Sequence, residues 1–178
     1  MSSSGRSHPR PPLLMRTPLL ASALVTVLLF VAISLLAPEP IPDTQFGADG
    51  ERIAAILAEL SDEGLLDAYR RMLLVDFFFP LAYTAFFVLA LQSLFRGALG
   101  QPGWARGLSA VAVVACVLDY VENIAVLVAL AGFPAHHPVL PVIGPVTTAK
   151  WIAVVATVGS LFIGAGIVTA RRVRKSHH

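Results

Sequence analysis

The chain has 178 residues, of which 56% are hydrophobic and only 13% are charged, and its formal net charge is +2. A soluble domain averages about 45–50% apolar and about 25% charged residues, so both values indicate a membrane protein. The small net charge, without interleaved basic and aromatic residues, argues against a nucleic-acid groove. Cys116 is the only cysteine, which excludes an intrachain disulfide and a cysteine-based metal motif.

Four apolar stretches are long enough to cross a bilayer, for which a helix needs about 20 residues. They run over 17–37, 72–95, 107–131 and 147–170. Backbone groups in lipid have to bond internally, so each stretch is predicted to be a helix. A cleaved signal peptide is the alternative for the first, but its apolar run exceeds the ~7–15 residues usual there. The prediction is an all-α protein, a four-helix transmembrane bundle formed by one domain, 17–170.

The charges predict an orientation. Nine of the thirteen basic residues, and no acid, lie in the N-terminal tail 1–16, in the connection 96–106 and in the C-terminal tail 171–178. The first connection, 38–71, holds eight of the eleven acids. The positive-inside rule therefore predicts a multi-pass protein of the cell membrane with cytoplasmic N and C termini. Its composition predicts that tail 1–16 is disordered, and the basic tail 171–178 is predicted to touch anionic lipid headgroups.

The first connection is predicted to fold into helices. Four apolar residues follow the i, i+3, i+4, i+7 spacing of an amphipathic helix: Ile53, Ile56, Leu57 and Leu60. Ser61 is a candidate cap for a following segment, with Asp62 and Glu63 in its first turn. We expect an extracytoplasmic helical cap on the bundle or on the membrane surface. A helix that binds a partner protein is the alternative.

Three acids and one base fall inside the spans: Asp76, Asp119, Glu122 and Lys150. At about 1.5 Å per residue, all four lie in the outer half of the predicted bilayer. Asp119, Glu122 and Asn123 share one helical face. Charges in a span usually pair inside the bundle, so Lys150 is predicted to pair with Asp76, Glu122 or both. Snorkelling of Lys150 to the outer surface is the alternative.

Three short motifs stand out within the spans: Asp76-x-x-x-Pro80-x-x-Tyr83, Asp119-Tyr120-x-Glu122-Asn123 and Lys150-Trp151. In these motifs the chain resembles a family of small four-helix membrane proteins that has no assigned activity. The resemblance covers about residues 50 to 170. It implies the four-helix fold and supplies no reaction.

The predicted polar cluster has one structural and three functional interpretations; its members are Asp76, Tyr83, Asp119, Glu122, Asn123 and Lys150. A buried network of this kind can simply fix helix register. Alternatively, it binds a lipid or small apolar ligand in a non-enzymatic protein. A third interpretation is a lipid-modifying or isomerising enzyme, with Asp76, Asp119 or Glu122 as catalytic acid or base and Lys150 as electrostatic partner. The fourth is a proton-coupled carrier, although no inverted repeat is visible.

The third connection contains two candidate metal ligands, His136 and His137, which follow one another in the sequence. Together with Asp76 and Glu122 they would offer imidazole and carboxylate ligands. Adjacent histidines on a loop are more often exposed, so we expect no metal and no cofactor. The expected partners are membrane lipids, and a stripe of small residues on the fourth span leaves a homo-oligomer open.

Overall fold

The computed structural model describes residues 16–135 and 137–176, and it is helical throughout this part of the chain apart from turns and connections. The helices are α1 Arg16–Leu36, α2 Gly50–Asp62, α3 Leu66–Asp76, α4 Phe79–Leu91, α5 Pro102–Gly132 and α6 Leu140–Ser176. The first connection contains a 3₁₀ turn, Pro42–Thr44, and α4 continues into a π-helical segment, Gln92–Ala98. The all-α prediction is confirmed for the described residues. The predicted tail lies outside them except for Arg16, which begins α1.

Four helical stretches are long and apolar enough to cross a membrane: Thr17–Leu36, Leu66–Ala98, Pro102–Gly132 and Leu140–Arg174. This confirms the predicted number of candidate spans. The last three are longer than predicted, because a hydrogen-bonded helix continues beyond the apolar residues that mark a span in sequence. With 37 residues, α6 is about 55 Å long, against about 30 Å of hydrocarbon. The basic residues from 171 to 174 therefore belong to the end of α6, where a tail was expected.

The spanning helices pack in a simple order. The most extensive contacts join α5 and α6, while α4 packs on α5, and α1 packs on α3 and α4. No residue of Thr17–Leu36 is buried within the chain. Three hydroxyls of α1 donate to carbonyls of the same helix, those of Ser22, Thr26 and Ser34. In a bilayer α1 would thus lie at the periphery, with most of its surface facing lipid.

One end of the bundle is covered by α2 and is called the α2 end below. The apolar face of α2, formed by Ile53, Ile56, Leu57 and Leu60, is buried in a hydrophobic cluster with residues of α3, α5 and α6, and α2 packs mainly on α6. The Asp49 side chain caps α2, since its Oδ1 accepts the Arg52 N–H at 2.8 Å. The amphipathic spacing therefore marks a helix that covers the bundle.

The boundary between α2 and α3 differs from the prediction. Ser61 lies inside α2, and α3 begins after Leu65 without a side-chain cap. The chain turns instead at Gly64, whose φ is +71°. Glycine adopts this conformation without the clash that a Cβ would cause. Backbone geometry, and not a serine cap, separates the two helices.

The first connection is held tightly against the start of α6. Gly144 lies so close to the backbone of Ala48 that a side chain at 144 would collide with it. Beside this contact, the Gly47 N–H donates to Thr148 Oγ1 at 2.8 Å. The close approach fixes the segment that follows Asp43, and so positions that residue near the α2 end.

Candidate functional site

A buried ion pair lies between α5 and α6. Lys150 Nζ contacts the carboxylate of Glu122 and lies 3.4 Å from Asp119 Oδ1. The exposed fractions of Lys150, Asp119 and Glu122 are 7%, 4% and 0%. Lys150 therefore points into the bundle and does not snorkel. Its predicted contact with Glu122 is present, whereas the predicted contact with Asp76 is replaced by one with Asp119.

The two carboxylates that contact Lys150, those of Asp119 and Glu122, each have an additional partner. Tyr83 on α4 donates its hydroxyl to Asp119 Oδ2 at 3.0 Å. Thr147, one turn before Lys150 on α6, places its hydroxyl against Glu122. Asp119 and Glu122 are three residues apart on α5, so one helical face presents both to α6. Charges buried in this way are stable only when their remaining bonding capacity is used, which these hydroxyls provide.

Asp76 lies apart from the ion pair, at a break in the predicted second span. Its Oδ2 accepts a hydrogen bond from Asn123 Nδ2 at 2.8 Å. Here α3 ends, and α4 begins at Phe79 with Pro80 in its first turn. Pro80 has no N–H to offer the Asp76 carbonyl, so the helical hydrogen bonding is interrupted. The next carbonyl, that of Phe77, accepts the Tyr120 hydroxyl at 2.7 Å. The helical hydrogen bonding of the candidate span Leu66–Ala98 is therefore interrupted at Phe77 and Phe78, although both residues keep right-handed helical dihedral angles.

Asp43 joins this region from the first connection and was missed in the sequence analysis. Its carboxylate is almost completely buried and accepts the hydroxyl of Tyr69 at 3.2 and 3.3 Å. Its backbone carbonyl lies 3.4 Å from Nε1 of Trp151. Burial, and next the negative charge of Glu122, raise the pKa of Asp43 to about 8, although Lys150 acts in the opposite direction. No local signal in the sequence indicated that the turn Pro42–Thr44 is buried.

Taken together, the acid-rich cluster consists of Asp43, Asp76, Asp119, Glu122 and the single base Lys150. The ammonium group of Lys150 contacts only two of these four carboxyl groups, those of Asp119 and Glu122. A purely structural ion pair needs one acid and one base, so the cluster has an excess of acid. Such an excess favours the binding of protons, cations or hydrogen-bond donors.

The remaining predicted contributors lie elsewhere. His137 Nδ1 accepts the Val139 N–H at 3.2 Å within the connection between α5 and α6, and His136 lies outside the described residues. Within 16–135 and 137–176, no three His, Cys, Asp or Glu side chains are grouped as metal ligands. Two shallow cavities occur, one along α5 near Trp104 and one between α2 and Phe133. Neither is lined by a residue of the acid-rich cluster.

Compared with protein-family models, curated protein sequences and solved structures, the chain has no significant match.

Proposed function

We propose that this chain is a multi-pass membrane protein that binds a lipid or another small amphiphile at the acid-rich cluster. The observation that supports this proposal most directly is the position of Asp76, which is only half-buried. Its neighbours Leu74 and Phe78 are 64% and 65% exposed and would face lipid. A carboxyl group at this depth needs a partner, and a headgroup that offers a positive charge or a hydrogen-bond donor is the partner that a bilayer supplies.

The excess of acid in the cluster supports the same proposal. Lys150 is already engaged by Glu122 and Asp119, which leaves Asp76 with the neutral amide of Asn123. The apolar part of the amphiphile would lie along the exposed side chains beside Asp76. Neither the enzymatic nor the carrier hypothesis has a comparable observation in its favour, although Asp76, Asp119 and Glu122 remain the candidate acids for both.

The proposal includes a location. We infer that the α2 end is extracytoplasmic and that both termini are cytoplasmic, in a cell membrane. The segregation of basic residues supports this orientation, and it puts the cluster in the outer half of the bilayer. Membrane lipids are then the partners, and a homo-oligomer through the exposed apolar surfaces is compatible with it.

The experiment is lipid analysis of protein purified in mild detergent from the membranes in which it was expressed. We expect the wild-type chain to retain one lipid class in native mass spectrometry, and the Asp76→Asn variant to lose most of it. The matched control is Asp67→Asn, which removes an exposed acid whose contact is Arg70 at 2.9 Å. Thermal unfolding of each variant checks that the fold is intact. Equal lipid retention by Asp76→Asn and the wild type would reject the proposal.

A further inference from the structure

One buried side-chain oxygen next to Asp76, Oδ1 of Asn123, has no hydrogen-bond partner in the described part of the chain. Asn123 is 0% exposed, and its Nδ2 is used by Asp76, but Oδ1 has no hydrogen-bond partner. An unpaired buried acceptor of this kind costs roughly 1–3 kcal/mol, so native structures almost always satisfy it. The missing partner has to be a donor or a cation, because the unpaired atom is an oxygen.

The surroundings of this oxygen are negatively charged. Asn123 is adjacent to Glu122 and one helical turn beyond Asp119 on α5, and its amide holds Asp76. The spans predicted from sequence, 72–95, 107–131 and 147–170, hold three acids against the single base Lys150. Lys150 is directed at Glu122 and Asp119, so it leaves the charge of Asp76 uncompensated. A neutral water would satisfy the oxygen but would leave that charge unchanged.

The break in the second span adds a third feature. Asp76 is the last residue of α3, where the helix dipole directs negative potential outward. Pro80 also leaves the Asp76 carbonyl without its helical donor. Helix ends and interrupted backbone inside a membrane bundle are the arrangement that coordinates sodium ions or protons in transport proteins. Oxygen ligands of this kind suit hard cations.

We propose that Asp76 and Asn123, at the junction of α3 and α4, form a binding site for a small monovalent cation of the size of Na⁺. A divalent ion is disfavoured, because Ca²⁺ takes about 6–8 oxygen ligands and Mg²⁺ keeps several of its waters, whereas this position offers one carboxylate and one amide oxygen. The site goes beyond the proposed function: an amphiphile approaches Asp76 from the lipid side, whereas the cation lies on the side of Asn123. Neither ligand requires the other.

The test is the sodium dependence of thermal unfolding, measured on the purified full-length protein in detergent after removal of bound lipid. Sodium chloride is varied against choline chloride at constant ionic strength, with potassium and lithium chloride as further probes. Once sodium exceeds its dissociation constant, each tenfold increase is expected to raise Tm by about 3–6 °C. The increase should vanish in Asp76→Asn and persist in Asp67→Asn.

A second variant keeps the test decisive if Asp76→Asn fails to fold. Asn123→Asp places two carboxylates together and should bind sodium more tightly, so its Tm should begin to rise at a lower sodium concentration than that of the wild type. Tm values that are identical in sodium and choline, in both the wild type and Asn123→Asp, would mean that only water fills the position, and would overturn the proposal. A Tm that responds to pH but never to sodium would assign the site to a proton and overturn it equally. Because bound lipid is absent, these outcomes are independent of the lipid analysis.

Discussion

Lys150 on α6 and Glu122 on α5 form an ion pair from which solvent is excluded: 9% of the lysine side chain and none of the glutamate side chain is exposed. Their contact joins the two helices that pack most extensively. Removing one member leaves the other as an uncompensated charge, which is the costliest defect that a buried pair can suffer.

Lys150→Met is therefore expected to lower the free energy of unfolding by roughly 3–5 kcal/mol. Lys150→Met combined with Glu122→Gln should lose less, because the double variant leaves no stranded acid at position 122. A double-mutant cycle on thermal stability in detergent measures the coupling, and Arg171→Met, at the exposed end of α6, is the matched control. Simple additivity of the two changes would contradict the buried pair.

The pH dependence of stability is expected to come in part from Asp43. The folded-state pKa of this carboxyl is raised to about 8, above the ~3.9 of an unfolded aspartate. Between these values the folded chain binds the proton more strongly, so stability falls as pH rises from about 4 to about 8, by at most about 1.4 kcal/mol per pH unit. The groups that set this pKa are Glu122, Lys150, Asp76 and Tyr69.

The Asp43→Asn variant should flatten this dependence, because the amide does not titrate. Thermal unfolding from pH 5 to pH 9 provides the measurement, with Asp62→Asn, an exposed acid at the end of α2, as the control. An equal slope in Asp43→Asn and in the wild type would show that Asp43 does not titrate in this range.

Two glycines of α6 form a matched pair for testing the contact between the first connection and the start of α6. A methyl group at Gly144 would collide with the backbone of Ala48, whereas one at Gly159 would meet nothing within 4 Å. Gly144→Ala should therefore lose roughly 1–3 kcal/mol of stability through overpacking. Gly159→Ala should gain up to about 1 kcal/mol from helix propensity. Hydrogen exchange at the Gly47 amide should accelerate in the first variant only; similar exchange in both would refute the contact.

The orientation predicts opposite accessibility at two exposed positions. In a Cys116→Ala background, a cysteine at position 63 should react in intact cells with a membrane-impermeant maleimide, and one at position 176 should react only after permeabilisation. Cys116 is buried, and its replacement removes the background thiol. The reverse labelling pattern would show that the bundle has the opposite orientation in the membrane.

Features encoded by local pattern were predictable. The four candidate spans follow from runs of apolar residues, and α2 follows from the spacing of Ile53, Ile56, Leu57 and Leu60, because both depend on residues close together in the chain. The shared face of Asp119, Glu122 and Asn123 was predictable for the same reason. The contact of Lys150 with Glu122 was predicted because Lys150 is the only base within a predicted span and Glu122 is one of the two acids nearest its estimated depth.

Features that depend on distant packing were not predictable. Asp43 resembled the other acids of a solvated connection, and its burial arises from Tyr69 and Trp151, which are 26 and 108 residues away in the chain. The choice of Asp119 over Asp76 as the second partner of Lys150 depends on how α3, α5 and α6 rotate about their axes. Depth estimates carry no information about that rotation. The break after Asp76 was signalled by Pro80, but proline alone does not distinguish a kink from an interruption.

The absence of buried residues in α1 has a consequence for biosynthesis. Its hydroxyls bond to carbonyls of the same helix, so α1 needs no other helix to satisfy its polar groups. It can leave the translocation channel alone and persist in the bilayer while the rest of the chain is still being made. The later helices bring charges that need one another: Asp119 and Glu122 leave the ribosome before Lys150. During insertion into a bilayer, α5 would therefore carry unpaired acids until α6 arrives.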